Sequence, residues 1–374
     1  MNSPIWIPSN EKIKNSLMYK FMKECSEDFK SYFDLHSWSI NNLEDFWANF
    51  WRFSDIKYSK NYNSVLENPV MPGAKWFSGS ELNYAQNLLK GDPDQIAIIS
   101  IGENIPPKTL TFKELNYKVS SVQKGLSKLG VKKGTIVAGF VPNCAETVIS
   151  MLAVSSLGGV WTSCSPDFGA NGVVDRFGQV NPHILITSNG YSYNGKLFKL
   201  EEKVNGVLES IDCIRHIVEI EYVDIKSNFN HDSIISFGDI LNDEQTQPTF
   251  EQLPFDHPLF IMYSSGTTGP PKSIVHSSGG TLIQHMKEHQ LHCDIKAGKS
   301  TMFWFTTCGW MMWNWLVSGL SSGSTIVLYD GSPSYPSLER LWKMIDDLNI
   351  THFGTSPKFL SACDSANILP NKFC

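Results

Sequence analysis

No C-x-x-C pair, no run of basic residues and no uninterrupted apolar stretch of membrane-spanning length occurs in this 374-residue chain. Without paired spacing, Cys25, Cys144, Cys164, Cys213, Cys293, Cys308, Cys363 and Cys374 read as reduced, mostly buried thiols of a cytoplasmic protein, not as a disulfide framework. Without a basic run, and with a formal net charge of −6, nothing points to nucleic acid. The first thirty residues carry charges and no apolar h-region, so no secretory signal is expected. The long uncharged stretch 300–329 is interrupted throughout by Gly, Ser, Thr and Asn, which makes it core and not a membrane span. His285, His289 and His292 share one face of an expected helix at i, i+4 and i+7. The residue after His285 is Met286, so the H-E-x-x-H pattern fails and no metal site is expected.

The chain does contain one stretch dense in chemistry. The apolar run 258–262 reads as a short buried strand leading into Tyr263-Ser264-Ser265-Gly266-Thr267-Thr268-Gly269-Pro270-Pro271-Lys272. Glycines let main-chain N–H groups approach an anion, the Ser and Thr hydroxyls add donors, and Lys272 adds a point charge suited to phosphate. The pattern reads as a polyphosphate cradle. It departs from G-x-x-x-x-G-K-[ST] because Pro271 stands where that loop needs glycine. Two prolines favour extended backbone, so the loop should not open directly into a helix.

The string Ser264 to Lys272 resembles the phosphate loop of the adenylate-forming superfamily, which includes acyl-CoA synthetases, luciferases and peptide-synthetase adenylation domains. The resemblance implies ATP-dependent activation of a carboxylic acid to an acyl-adenylate, with release of pyrophosphate, and then displacement of AMP by a thiol. It implies an α/β fold, the superfamily's N-terminal domain of parallel sheets flanked by helices, incomplete at its C-terminus. Residues 1–90, with an apolar helix expected over 42–53, resemble the N-terminal extension of acetyl- and acetoacetyl-CoA synthetases. Residues 91–374 resemble part of the AMP-binding domain. Within the latter, strands at 96–99, 135–140 and 184–187 alternate with helices at 146–157 and 173–180, and Thr111 with Glu114 forms a capping-box pattern at a helix start.

Further segments sharpen the resemblance. Trp161 to Gly169 is similar to the acetoacetyl-specific branch, and its counterpart in acetyl enzymes runs close to CoA. The loop 190–196 resembles a basic loop that meets the CoA nucleotide, with Lys196 its one cation here. In Phe303 to Trp315, Thr307, Cys308, Gly309 and Trp310 occupy positions whose counterparts line the acyl pocket. The resemblance thus implies an acetoacetate–CoA ligase using ATP, Mg2+ and CoA. Ser264, Ser265, Gly266, Thr267, Thr268, Gly269 and Lys272 would hold phosphate, with Lys272 catalytic. An acetyl- or propionyl-CoA synthetase and a non-catalytic nucleotide-binding module are the alternatives. The superfamily's later motifs, which supply the adenine, ribose and Mg2+ contacts and the lysine of the small C-terminal domain, have no substitute here. Gly195-Lys196 and Gly298-Lys299 occur too early. The chain alone is therefore expected to bind nucleotide weakly without turnover, and a separate C-terminal fragment is one expected partner.

Overall fold

Strand–helix alternation yields two large sheets that contribute to one shared core. The computed structural model describes residues 6–25, 27–241, 245–264 and 269–373. The first sheet runs, in spatial order, Ile234–Ser236, His216–Ile220, Ile184–Ser188, Ile136–Phe140, Val160–Cys164, Pro258–Ser264 and Lys272–Ser277. All neighbours are parallel except the last pair, which forms an antiparallel hairpin. The second sheet runs His352–Gly354, Thr301–Trp304, Thr325–Asp330, Ile96–Gly102 and Ile105–Thr111, again parallel except for its last pair. Central strands such as Ile184–Ser188 and Val160–Cys164 are buried at every residue, as expected of parallel strands covered on both faces.

The helix Ala145–Ser156 lies between the sheets, touching Val160–Cys164 in one and Ile96–Gly102 in the other. Every residue but Glu146 is buried, and it carries apolar or small residues all round, as a doubly covered helix requires. The helix Phe112–Lys128 begins as the sequence indicated. The Thr111 side chain accepts from the Glu114 amide while the Glu114 carboxylate accepts from the Thr111 amide.

In the aromatic N-terminal region the helices Leu17–Glu24, Tyr32–Asn41 and Leu43–Phe53 bury side chains in this core. Phe21 meets Phe46, Phe50 and Phe53 edge-on at 5.3–6.0 Å, and Trp51 stacks on Phe77 at 4.7 Å. Leu43, in the first turn of the expected helix, is exposed, and the Asn42 side chain donates back to the Trp38 carbonyl and makes no cap hydrogen bond. The expected helix carrying His285 begins at Ser278, and its Gly279 packs where a β-carbon would strike the Phe255 ring. Among the described residues no helix is long and apolar enough to cross a membrane.

Candidate active site

The antiparallel hairpin at the sheet edge carries the phosphate motif. Its first strand is held beside Val160–Cys164, with the Thr162 hydroxyl donating to the Ile261 carbonyl at 2.8 Å and lying 3.0 Å from the Tyr263 hydroxyl. The chain returns as Lys272–Ser277 with Ser264 opposite Lys272. Ser264 is half-buried and Lys272 is exposed at the hairpin mouth. Ser265, Gly266, Thr267 and Thr268 lie outside the described residues. Gly269 has φ +128°, a backbone conformation that glycine adopts without strain. A strand, not a helix, follows the two prolines, as their geometry requires. Gln179 braces this exit: it donates to the Pro271 carbonyl and accepts from the Ser273 hydroxyl, both at 2.8 Å.

Three other predicted segments converge on a cleft of about 290 Å³. Ser165 and Asp167 line it from the 161–169 loop, Tyr191 and Tyr193 from the Gly190–Tyr193 strand, and Thr306 and Thr307 from the loop after Thr301–Trp304. Lys196 opens the partner strand Lys196–Lys199 and is exposed at the hairpin turn. The four candidates for the acyl pocket do not share one surface. Thr307 faces this cleft, whereas Cys308 and Gly309 face a small void bounded by Trp161, Met262 and Asn314. That void joins the loop carrying Cys308 to the strand Pro258–Ser264, to which Met262 belongs. Trp310 is 62% exposed. Burial pushes the Cys308 thiol well above the ordinary range, so it gives shape to the wall and is no nucleophile.

Sequence reasoning did not identify the residues that fix this geometry. Asn143 is buried beneath the acyl loop. Its side-chain amide lies 3.4 Å from the Thr306 carbonyl and 3.3 Å from that of Tyr329, and its oxygen accepts from the Trp313 indole at 2.9 Å. Ser163 donates to the Cys308 carbonyl at 2.7 Å. Glu103, also buried, accepts from the Asn194 and Gly195 amides at 2.9 and 2.8 Å and from the Ser332 amide at 2.5 Å. One carboxylate thus ties the turn before Lys196 to the turn after Thr325–Asp330. Burial first, then nearby Glu103 and Asp167, pushes the Asp330 carboxyl up to about 7, against hydrogen bonds from the Asn143 amide and the Tyr222 hydroxyl. The only sequence signal for Asn143 or Glu103 is a polar residue beside apolar strands.

Among the described residues no group of three or more His, Cys, Asp or Glu could hold a metal ion. The expected histidine face is broken by a π-helical turn, Glu288–His292, which leaves His285 and His289 buried and His292 exposed.

A family model described as "AMP-binding enzyme" matches residues 86–372, and one described as "Acetyl-coenzyme A synthetase N-terminus" matches residues 32–88. Among relatives, acetoacetyl-CoA synthetase of Gallus gallus is 42% identical over 381 residues, spanning 98% of this chain and 57% of that protein. Acetoacetyl-coenzyme A synthetase of Rhizobium meliloti (strain 1021) is 40% identical, with 98% and 57% covered, and malonamoyl-CoA synthetase of Penicillium aethiopicum is 37% identical, with 96% and 53% covered. The solved acetoacetyl-CoA synthetase from Streptomyces lividans superposes with a TM-score of 0.94 at 39% identity, covering 99% of this chain and 58% of that one. The chain therefore spans little more than half the length of the relatives it matches. With two mainly parallel sheets and a family match over residues 86–372, this chain belongs to the AMP-binding enzyme family.

Proposed function

We propose that this chain is the front part of an acetoacetate–CoA ligase that works in the cytoplasm. In the first step a carboxylate oxygen of acetoacetate attacks the α-phosphorus of ATP and pyrophosphate leaves. In the second, the CoA thiolate attacks the acyl carbonyl and AMP leaves. Ser264 to Gly269 and Lys272 hold the phosphates, and Lys272 offsets the charge that develops on the leaving group. Thr307, Cys308, Gly309 and Trp310 border the acid, and Lys196 meets the CoA nucleotide. Residues 1–90 act as the extension and 91–374 as part of the AMP-binding domain. Mg2+ arrives with ATP, and its protein ligands lie in later motifs.

The observation that carries this reading is the convergence of the loop bearing Cys308 with the strand bearing Met262, next to a cleft shared by Thr307 and the strand Gly190–Tyr193 that leads toward Lys196. Substrate choice follows from the names of the relatives: acetoacetate and malonamate both carry a carbonyl β to the carboxylate. Acid-dependent pyrophosphate exchange, measured on the native gene product with a panel of short acids, tests the reading. Acetoacetate should be preferred, and Lys272→Ala should slow exchange by at least about tenfold, in the range of a lost charge stabiliser. A preference for acetate would move the assignment to the acetyl- or propionyl-CoA synthetases.

A second reading is a non-catalytic nucleotide-binding module. The intact mass of the native gene product separates the two. A mass well above 42.0 kDa supports the single-chain ligase, and one at 42.0 kDa supports the module.

A further inference from the structure

A second cleft, of about 900 Å³, lies at the opposite ends of strands Thr301–Trp304 and Thr325–Asp330 from the cleft that Thr307 and Asp330 line. Its walls come from residues just ahead of Ile96–Gly102, Thr301–Trp304 and Thr325–Asp330, such as Gln95, Lys299 and Gly323, together with helices Leu17–Glu24 and Leu43–Phe53. Lys20, Arg52, Lys57, Lys90, Lys296 and Lys299 line it, against Glu24, Asp55 and Asp92, a positive surplus in a chain whose net charge is −6. Some of these cations are already paired. Asp55 serves Lys57 at 3.1 Å and Lys90 at 3.8 Å, and Asp294 serves Lys296 at 2.9 Å. Lys20, Arg52 and Lys299 have no ion-pair partner among the described residues.

Two further observations point to a ligand. Ser322 lines the cleft, is 7% exposed, and its buried hydroxyl has no hydrogen-bond partner. A buried hydroxyl without a partner is costly, and an anionic oxygen would satisfy it. Lys90 is withdrawn from solvent, which pulls its ammonium down to about 8, and an adjacent anion would offset that loss of hydration.

We propose that this cleft is a second anion site, which takes a small polyphosphate: free pyrophosphate or the diphosphate end of a nucleotide. Compact ammonium groups with a hydroxyl suit a multiply charged phosphate. The acidic residues within the cleft and the negative net charge of the chain exclude a nucleic acid backbone. The site is independent of the proposed ligase reaction, because it uses none of the residues assigned there.

Titration calorimetry of the chain with pyrophosphate and with ADP tests it, in a Lys272→Ala background that removes the cation of the phosphate hairpin. Binding should persist in that background and weaken by at least about tenfold in Lys20→Glu/Lys299→Glu, as expected when two like-signed contacts are reversed. Both lysines sit at the surface, and circular dichroism of the variant checks that the fold is kept. Ser322→Ala should weaken binding severalfold. Equal affinities for pyrophosphate and ADP assign the site to the bare diphosphate, and tighter ADP adds a nucleoside contact; both support it. No saturable binding, or binding unaffected by the lysine reversals, overturns it.

Discussion

The indole N–H of Trp313 donates to the Oδ1 of Asn143 at 2.9 Å, joining the helix behind the acyl loop to the turn that begins the central helix. The Asn143 side-chain amide also reaches the Thr306 and Tyr329 carbonyls, so one side chain serves three segments. Asn143→Ala should cost about 2–4 kcal/mol, because it strands buried partners as well as losing hydrogen bonds. Urea denaturation checks this, and a cost below about 1 kcal/mol would show that the contacts are replaced.

Glu103→Ala should cost about 3 kcal/mol, since three backbone amides lose a charged acceptor. Amide exchange at Asn194, Gly195 and Ser332 should accelerate together. If only Ser332 responds, the tie across the two turns is not made by this carboxylate.

Gly195 has φ +75°, and a β-carbon there would sit 2.6 Å from the Tyr335 ring. Gly195→Ala should therefore lower stability by about 1–3 kcal/mol from left-handed strain and the clash combined. Thermal unfolding of the variant measures it. An unchanged midpoint would mean that Tyr335 moves aside freely.

Stability should depend on pH through Asp330. Between the ordinary 3.8 and about 7, the folded carboxyl holds a proton that the unfolded one has lost, so stability falls as pH rises across that window and levels off above it. Burial pulls His285 down to about 3, which acts oppositely: as pH drops below 6.5 the unfolded imidazole gains a proton that the folded one refuses, and stability falls. The informative quantity is the difference between wild type and Asp330→Asn. That difference should grow from pH 4 to 7, and a flat difference would remove Asp330 as the titrating group.

Much of this architecture was legible because its signals are local. The Thr111–Glu114 box lies within one turn of chain, and Pro270-Pro271 sets the backbone before Lys272 regardless of the rest of the fold. What could not be read depends on distant partners. Asn143 meets groups more than 160 residues away, so neither its burial nor its bonds leave a periodic trace. The histidine face failed for a different reason. The i, i+4, i+7 rule presumes 3.6 residues per turn, and the π-turn at Glu288–His292 rotates His292 out to solvent. Leu43 shows that an apolar residue at the first turn of a helix need not face the core.

The helix Ala145–Ser156 is packed against both sheets and against helix Phe112–Lys128, so opening it to solvent disturbs the whole core. Its hydrogens should be among the last to exchange, at the free energy of global unfolding. Asn143 sits just ahead of that helix and grips the loop that borders the proposed acid site. The loop is thereby moored to the slowest-opening part of the molecule. Thermal motion that loosens the surface would leave the Thr306–Cys308 wall in place until the whole core gives way.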